Sequence, residues 1–272
     1  MPSKKLSSRE RVMKAIMHEE PDRVPIDLGG SITTGIVAKT LAELRKYLGL
    51  DRRPVKIYDV FQMLGEVEMD VIDRFEVDVL PIEPLSLFFK IKRKDYKPWI
   101  FQGEEFLVPG DFRVEVDEEG NLLLREGGDP AKPIVARMPK DGYYFEDLSF
   151  IHFAEDFKPP SLEEMRRKRE RILTDEDLEF MSLRAELLRK TTDKALLLGC
   201  WPNVGLSPVG SLPNFLILLA QDRGYVKELM HLREEETIEN LKLLWDALGN
   251  NIDIVVIDGF DFGTQQGEMI SP

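Results

Sequence analysis

The sequence predicts an α/β fold in which buried parallel strands alternate with helices. Short apolar runs bounded by turn residues recur four times between segments of helical periodicity, as expected for strands covered on both faces. Such alternation is typical of βαβ units. An open sheet of four strands would satisfy the pattern. We favour the first half of a (β/α)8 barrel, with four βα units, because Ser271-Pro272 resembles the start of another helix and the chain ends there.

The individual elements follow from capping, periodicity and turn signals. Ser7 to Glu10 resembles a capping box that opens a first helix, and Pro21 ends that helix. Asp177 occupies a capping-box position at the start of a later helix. The predicted strands cover 24–30, 77–83, 195–203 and 252–258. The further predicted helices cover 36–48, 60–75, 161–171, 174–191, 213–221 and 225–248.

A β-rich insertion interrupts the alternation of strands and helices. From about residue 87 the period changes to two, most clearly in 112–116 and 122–125, which flank a turn with Gly120-Asn121. We therefore expect one domain, a partial barrel spanning 1–272, with a β-hairpin insertion at 87–158.

Composition favours a globular protein in the cytoplasm. A chain of 272 residues with 43% hydrophobic content can bury a large core. The formal net charge of −13 argues against nucleic acid and anionic membrane surfaces as partners, because both are bound through Lys and Arg. The single cysteine, Cys200, excludes an internal disulfide. No apolar run reaches the roughly 20 residues that span a bilayer, and the charged N-terminus does not resemble a signal peptide.

Acids, amides and glycines follow the predicted strands. Ligands of α/β folds collect at the carboxyl ends of parallel strands, so these residues are candidates for a site. Asp258 and Asp261 are the catalytic candidates, as a general base or as an orienter of a metal ligand, with loop capping as the alternative. The substrate-binding candidates are Asp27, Gly30, Glu83, Asn203 and Gln265.

Several motifs in a fixed order resemble one known family. They are Ser8-Arg9-Glu10-Arg11-Val12 with Glu20-Pro21-Asp22-Arg23-Val24-Pro25, the hairpin from Gly110-Asp111-Phe112 to Gly120-Asn121, and Phe262-Gly263-Thr264-Gln265 with Ile270-Ser271-Pro272. Together they resemble the uroporphyrinogen decarboxylase superfamily over essentially the whole chain. The resemblance implies a (β/α)8 barrel enzyme, either a porphyrinogen decarboxylase or a methyltransferase acting between corrinoid proteins and thiols.

The basic residues expected of a true uroporphyrinogen decarboxylase are missing from the strand exits. Those enzymes carry an arginine-rich stretch after the first strand, whereas 27–34 contains no Lys or Arg, and neither do 75–89, 195–222 and 243–272. A substrate with eight carboxyl groups needs several cations, and only the segment 90–97 of the insertion could supply them. The sequence thus resembles the branch close to the corrinoid-dependent methyltransferases. Methyl transfer is our first expectation, with decarboxylation in tetrapyrrole biosynthesis and a non-catalytic fragment that pairs with a second chain as alternatives.

The resemblance also implies a zinc ion and a corrinoid protein for the complete enzyme. In the methyltransferases His and Cys residues of the later half of the barrel bind the zinc. This chain has only His18, His152, His231 and Cys200, without metal-ligand spacing, so we expect no metal site and no cofactor within it. The expected partners are a small-molecule substrate and either a corrinoid protein or a chain that completes the barrel.

Overall fold

The computed structural model describes residues 5–167, 171, 173–199, 209–256 and 263–269. These residues form helices and several sheets, and none of the sheets closes into a barrel. The predicted mixed α/β class is therefore confirmed. None of the helices in these ranges combines the length and hydrophobicity that a membrane crossing requires.

Most of the described helices agree with the capping and periodicity signals, although the helix Leu148–Ile151 lies in the segment predicted as a β-hairpin insertion. They are α1 (Ser8–Ile16), α2 (Ala38–Tyr47), α3 (Met69–Arg74), α4 (Leu148–Ile151), α5 (Leu162–Arg167), α6 (Asp175–Thr191), α7 (Leu212–Gln221) and α8 (Arg223–Leu248). Capping boxes open α1 and α6, formed by Ser7 with Glu10 and by Thr174 with Asp177. In each box two backbone amides that the helix leaves unbonded find side-chain acceptors.

The strands are mostly short. They are β1 (Val55–Asp59), β2 (Leu64–Gly65), β3 (Val79–Ile82), β4 (Lys97–Phe101), β5 (Glu104–Val108), β6 (Val114–Val116), β7 (Leu122–Arg125), β8 (Ile134–Met138), β9 (Glu146–Asp147), β10 (Ala195–Leu198), β11 (Ile254–Val255), β12 (Gly263–Thr264) and β13 (Gly267–Glu268).

A parallel sheet of order β11-β10-β3 forms the centre of the α/β part. Ala195 pairs with Val79 and Leu197 with Ile254. One face of the sheet, which includes Leu80 and Leu196, packs against apolar side chains of α3, α6 and α8. The other face packs against Val12 of α1. Three of the four predicted strands thus lie side by side and parallel, each shorter than predicted.

The predicted first strand, 24–30, is not a strand. Val24 is 79% exposed and Ile26 39% exposed, and Pro25 has no amide hydrogen to donate. Its backbone contacts β3 only next to Ile26, where the amide of Asp78 donates to the Ile26 carbonyl at 2.8 Å and the Ile26 amide donates to the Asp78 carboxylate at 2.9 Å.

The predicted helix at 60–75 is wrong over its first half. Asp59, at the end of β1, accepts hydrogen bonds from the amides of Phe61 (2.7 Å) and Gln62 (3.4 Å) and closes a turn there. Met63 then has a φ of 57° and Gly65 belongs to β2. Leu64 and Gly65 pair with β1, and residues in that ladder cannot also belong to a helix, so the helix begins only at Met69.

The β-rich segment is larger than one hairpin. β6 and β7 pair with Val116 opposite Leu122, and the turn between them contains Gly120 at a φ of 87°. These strands continue into an antiparallel sheet of order β6-β7-β8-β9. A second sheet, β2-β1-β5-β4, includes two strands that precede residue 87, because β1 pairs in parallel with β5. A separate apolar core, which includes Phe106 and Leu124, lies beneath these sheets.

Candidate substrate cavity

Several predicted site residues lie outside the part of the chain that the structure describes. They are Asn203, Asp258 and Asp261. Gln265 lies in the turn between β12 and β13 and is exposed. The Asp27 carboxylate accepts a hydrogen bond from the Gly30 amide at 2.9 Å, and a Cβ at Gly30 would collide with that carboxylate. Asp27 and Gly30 thus close a turn together, and Glu83 is the predicted residue that reaches a cavity.

The cavity has a volume of about 460 Å³ and lies between the parallel sheet and the sheet that contains β1. Residues of β1, α3, β3 and α6 line it, together with Gly29, the link between β2 and α3, and the loop that follows β3. Ligand cavities commonly span about 300–1,000 Å³, so this one has room for a small metabolite.

Glu83 lies in the wall of this cavity, directly after β3. Its side chain is 3% exposed, and its Oε2 lies 3.3 Å from Nη1 of Arg93. Burial raises the pKa of Glu83 to about 7, although the Arg93 charge acts in the opposite direction. The protonated and ionised forms therefore coexist near neutral pH, which suits a group that donates and accepts protons.

Arg93 comes from the loop after β3 and holds Glu83 in place. Its Nη2 donates to the backbone carbonyls of Glu83, at 3.1 Å, and of Pro84. The guanidinium carbon lies 5.9 Å from the centre of the Tyr58 ring, within the usual range of a cation–π contact. Arg93 belongs to the basic segment 90–97, which was the only segment of the sequence expected to bring cations to the site.

Arg184 projects from α6 into the same cavity. Its Nε donates to the Pro81 carbonyl at a long 3.5 Å. Neither Nη group donates to any residue that the structure describes. Burial lowers the pKa of Arg184, and the nearby charges of Glu66 and Glu83 act against that lowering. An open, planar guanidinium in a partly dry cavity is suited to bind a carboxylate through two parallel hydrogen bonds.

A second buried acid lies behind Glu83. Asp59 is fully buried, and burial raises its pKa to about 6 against the hydrogen bonds from the Phe61 and Gln62 amides. The negative charge of Asp59 in turn raises the pKa of Glu83. Tyr96 also lines the cavity, and burial raises its pKa to about 12. The phenol therefore stays protonated at neutral pH and can donate a hydrogen bond to a ligand.

Sequence reasoning missed Arg184 as a site residue, and one signal could have found it. Phe180, Arg184 and Leu188 are spaced four residues apart, so they lie on one stripe of the predicted helix 174–191. A single arginine in an otherwise apolar stripe that faces a core is unusual, because a buried charge needs a partner. No comparable signal existed for Tyr58, which belongs to a strand that the sequence did not predict.

No group of three or more His, Cys, Asp or Glu side chains within the described ranges could hold a metal ion. His231 contacts Glu234 on the exposed face of α8, at 3.4 Å. Cys200 lies outside those ranges. The described members of this set do not come together as a zinc site.

Comparison with family models, with curated proteins and with solved structures finds no match for this chain. The function is therefore inferred from the residues that line the cavity.

Proposed function

We propose that the protein is an enzyme that binds a small organic acid through Arg184 and transfers a proton through Glu83. The observation that carries the proposal is that an open guanidinium and a buried carboxyl group with a pKa of about 7 line the same cavity of about 460 Å³. An anchor for charge beside a group that exchanges protons at neutral pH is a common arrangement in active sites.

We further propose that the fold is part of a (β/α)8 barrel of the uroporphyrinogen decarboxylase superfamily, located in the cytoplasm. The parallel order β11-β10-β3, with helices packed on one face, supports the barrel. The site lies at the carboxyl end of β3, where Glu83 follows the strand. Barrel enzymes collect their active sites at that end of the strands.

Methyl transfer to a thiol that also carries an acidic group is the reaction we propose first. Arg184 binds the acidic group, and ionised Glu83 takes the proton as the S–H bond breaks. The electron pair left on sulfur then forms a bond to the methyl carbon. The bond between that carbon and its donor breaks, and its electron pair stays with the donor. A corrinoid protein is the donor that the superfamily resemblance suggests. The cavity contributes a base whose pKa of about 7 suits a thiol of pKa about 8.5.

Decarboxylation of a small acid is the second candidate, and the presence of Arg93 and Arg184 in one cavity favours it. The bond from carbon to the departing carboxylate breaks, carbon dioxide leaves, and the electron pair stays on the carbon. Protonated Glu83 then delivers its proton to that carbon. The cavity volume of about 460 Å³ suits a small acid.

Two assays on the same variants test the proposal. Calorimetric titration with 3-mercaptopropionate measures binding, and mass spectrometry with methylcobalamin as donor measures S-methyl product. Arg184→Gln should weaken binding about tenfold or more, whereas Lys190→Gln, an exposed cation on the same helix, should bind as the parent does. Glu83→Gln should lower turnover about 10²-fold. Parent-like binding by Arg184→Gln, or parent-like turnover by Glu83→Gln, would overturn the proposal. Release of carbon dioxide without S-methylation would favour the second candidate.

A further inference from the structure

One wall of the same cavity is apolar, and it limits the chemistry of the part of the ligand that lies against it. On α6, Phe180 and Leu188 lie one turn before and one turn after Arg184, and all three line the cavity. Opposite them, Ile72 and Leu80 are 3% and 4% exposed and belong to the same apolar cluster. The guanidinium of Arg184 therefore emerges from an apolar wall.

The polar lining lies on other elements. Lys56 and Tyr58 belong to β1, Glu66 follows β2, and Tyr96 belongs to the loop before β4. The Lys56 Nζ lies 5.9 Å from the centre of the Tyr96 ring and 3.6 Å from the Glu66 carboxylate. A ligand in this cavity consequently meets polar groups on one side and hydrocarbon on the other.

The ion pairs in the lining limit the charge of the ligand. Lys56 pairs with Glu66 at 3.6 Å and Arg93 pairs with Glu83 at 3.3 Å. Of the lining cations that the structure describes, Arg184 alone has no ion pair. A second carboxylate on the ligand would lack a cation and would lie against hydrocarbon, which is costly for a charge.

The lining acids likewise offer no open position for an ammonium group. Glu66 and Glu83 have the partners just described, and Glu68 pairs with Arg53 at 2.8 Å. An ammonium group would have to share a carboxylate that already has a cationic partner, whereas a carboxylate meets Arg184, a cation without an ion pair among the described residues.

We propose that the ligand is a monocarboxylic acid with a compact apolar body. Its carboxylate binds Arg184, and its body packs against Phe180, Ile72, Leu80 and Leu188. This inference rests on the proposed function for the carboxylate contact and adds the chemical class of the remainder of the substrate.

The test is a titration series on the parent protein with four probes: 3-phenylpropionate, propionate, succinate and 3-phenylpropylamine. We expect 3-phenylpropionate to bind about tenfold or more tightly than propionate, because the phenyl ring is removed from water. Succinate and the amine should bind more weakly than 3-phenylpropionate by a similar factor.

Variants of α6 show whether the preference comes from this wall. Phe180→Leu should reduce the advantage of 3-phenylpropionate over propionate about threefold or more. The control is Leu187→Ala on the same helix. The Leu187 side chain is 60% exposed and does not line the cavity. This control should keep the full advantage. Thermal melts of each variant confirm that it is folded.

The outcomes separate this inference from the proposed function. If Arg184→Gln weakens all the carboxylates but propionate, succinate and 3-phenylpropionate bind equally, the apolar body is refuted and the carboxylate contact stands. If Arg184→Gln binds every carboxylate as the parent does, both fail. A preference for succinate would overturn the monocarboxylate class, and tight binding of 3-phenylpropylamine would overturn an acidic ligand.

Discussion

Replacing Glu83 with Gln should make the protein more stable at alkaline pH and should remove part of its pH dependence. Glu83 is 3% exposed, and its pKa rises from 4.5 in the ordinary case to about 7 in the fold. Between pH 4.5 and about pH 7, Glu83 is therefore protonated in the folded state and ionised in the unfolded state. As pH rises through this window, the parent loses stability. Below about pH 4.5 the carboxyl group is neutral in both states and the penalty is absent.

The size of the effect follows from the rise in pKa. A tenfold change in proton affinity is worth about 1.4 kcal/mol, so the rise corresponds to about 3 kcal/mol above pH 7. Gln has nearly the same shape and no charge to bury. Glu83→Gln also removes the ion pair with Arg93, whose atoms lie 3.3 Å apart. The figure of about 3 kcal/mol already includes this loss, because the pKa of about 7 reflects the Arg93 charge. Asp59, whose pKa rises to about 6, titrates in both proteins. Because its charge interacts with that of Glu83, its pH dependence cancels only in part in the comparison.

Urea denaturation of parent and Glu83→Gln at about pH 4 and about pH 8 measures the effect, because the midpoint and slope give the free energy of unfolding. The stability of the variant relative to the parent should increase by about 3 kcal/mol between the two conditions. Glu179→Gln, an exposed position on α6, is the matched control and should show no such change. A relative change below about 1 kcal/mol for Glu83→Gln would refute the raised pKa and the proton-transfer role that depends on it.

Three further substitutions test how the fold is held. Arg11→Met should lower the free energy of unfolding by about 3 kcal/mol, because it leaves the fully buried Asp78 with one cation fewer; a loss under about 1 kcal/mol in urea would contradict this. Ser7→Ala removes the cap of α1 and should cost about 1 kcal/mol, measured in the same way, and an unchanged midpoint would contradict the cap. Gly128→Ala should lower the melting temperature more than Gly120→Ala, because both have positive φ but only Gly128 would drive a Cβ into a backbone carbonyl. Equal melting temperatures would contradict the collision.

The helices were predictable because their signals are local. The capping boxes at Ser7 and Thr174 opened α1 and α6 at the expected residues, and Gly49, with a φ of 69°, follows α2 as expected. A cap depends only on a side chain and an amide three residues apart. Such a signal can be read without knowledge of the tertiary structure.

The two misassigned segments depended on non-local contacts or on competing turns. The segment 24–30 has the composition of a buried strand, but no neighbouring strand pairs along it within the described residues. In 60–75 the apolar spacing is helical, yet Met63 has a φ of 57° and Leu64 and Gly65 pair with β1. The β1 strand pairs with β5 about fifty residues later. Periodicity cannot reveal that partner.

The candidate site was predictable only where it follows a strand. Glu83 could be named because it ends an apolar run, and the carboxyl ends of parallel strands carry sites. Arg93 and Arg184 reach the same cavity from a loop and from a helix that are far apart in the chain. Their meeting depends on the packing of α6 against β3, which a single sequence does not disclose.

The N-terminal motifs behind the superfamily resemblance have a structural role in this chain. Arg11 lies 2.6 Å from Asp22 and 2.7 Å from the fully buried Asp78, and Arg23 also contacts Asp78, at 2.7 Å. Arg9 contacts Asp253, at the start of β11, at 3.2 Å. These arginines tie α1 and the segment after it to the strands of the parallel sheet. None of these arginines lines the cavity, so in this chain the N-terminal motifs contribute to packing, whereas the proposed chemistry rests on Glu83 and Arg184.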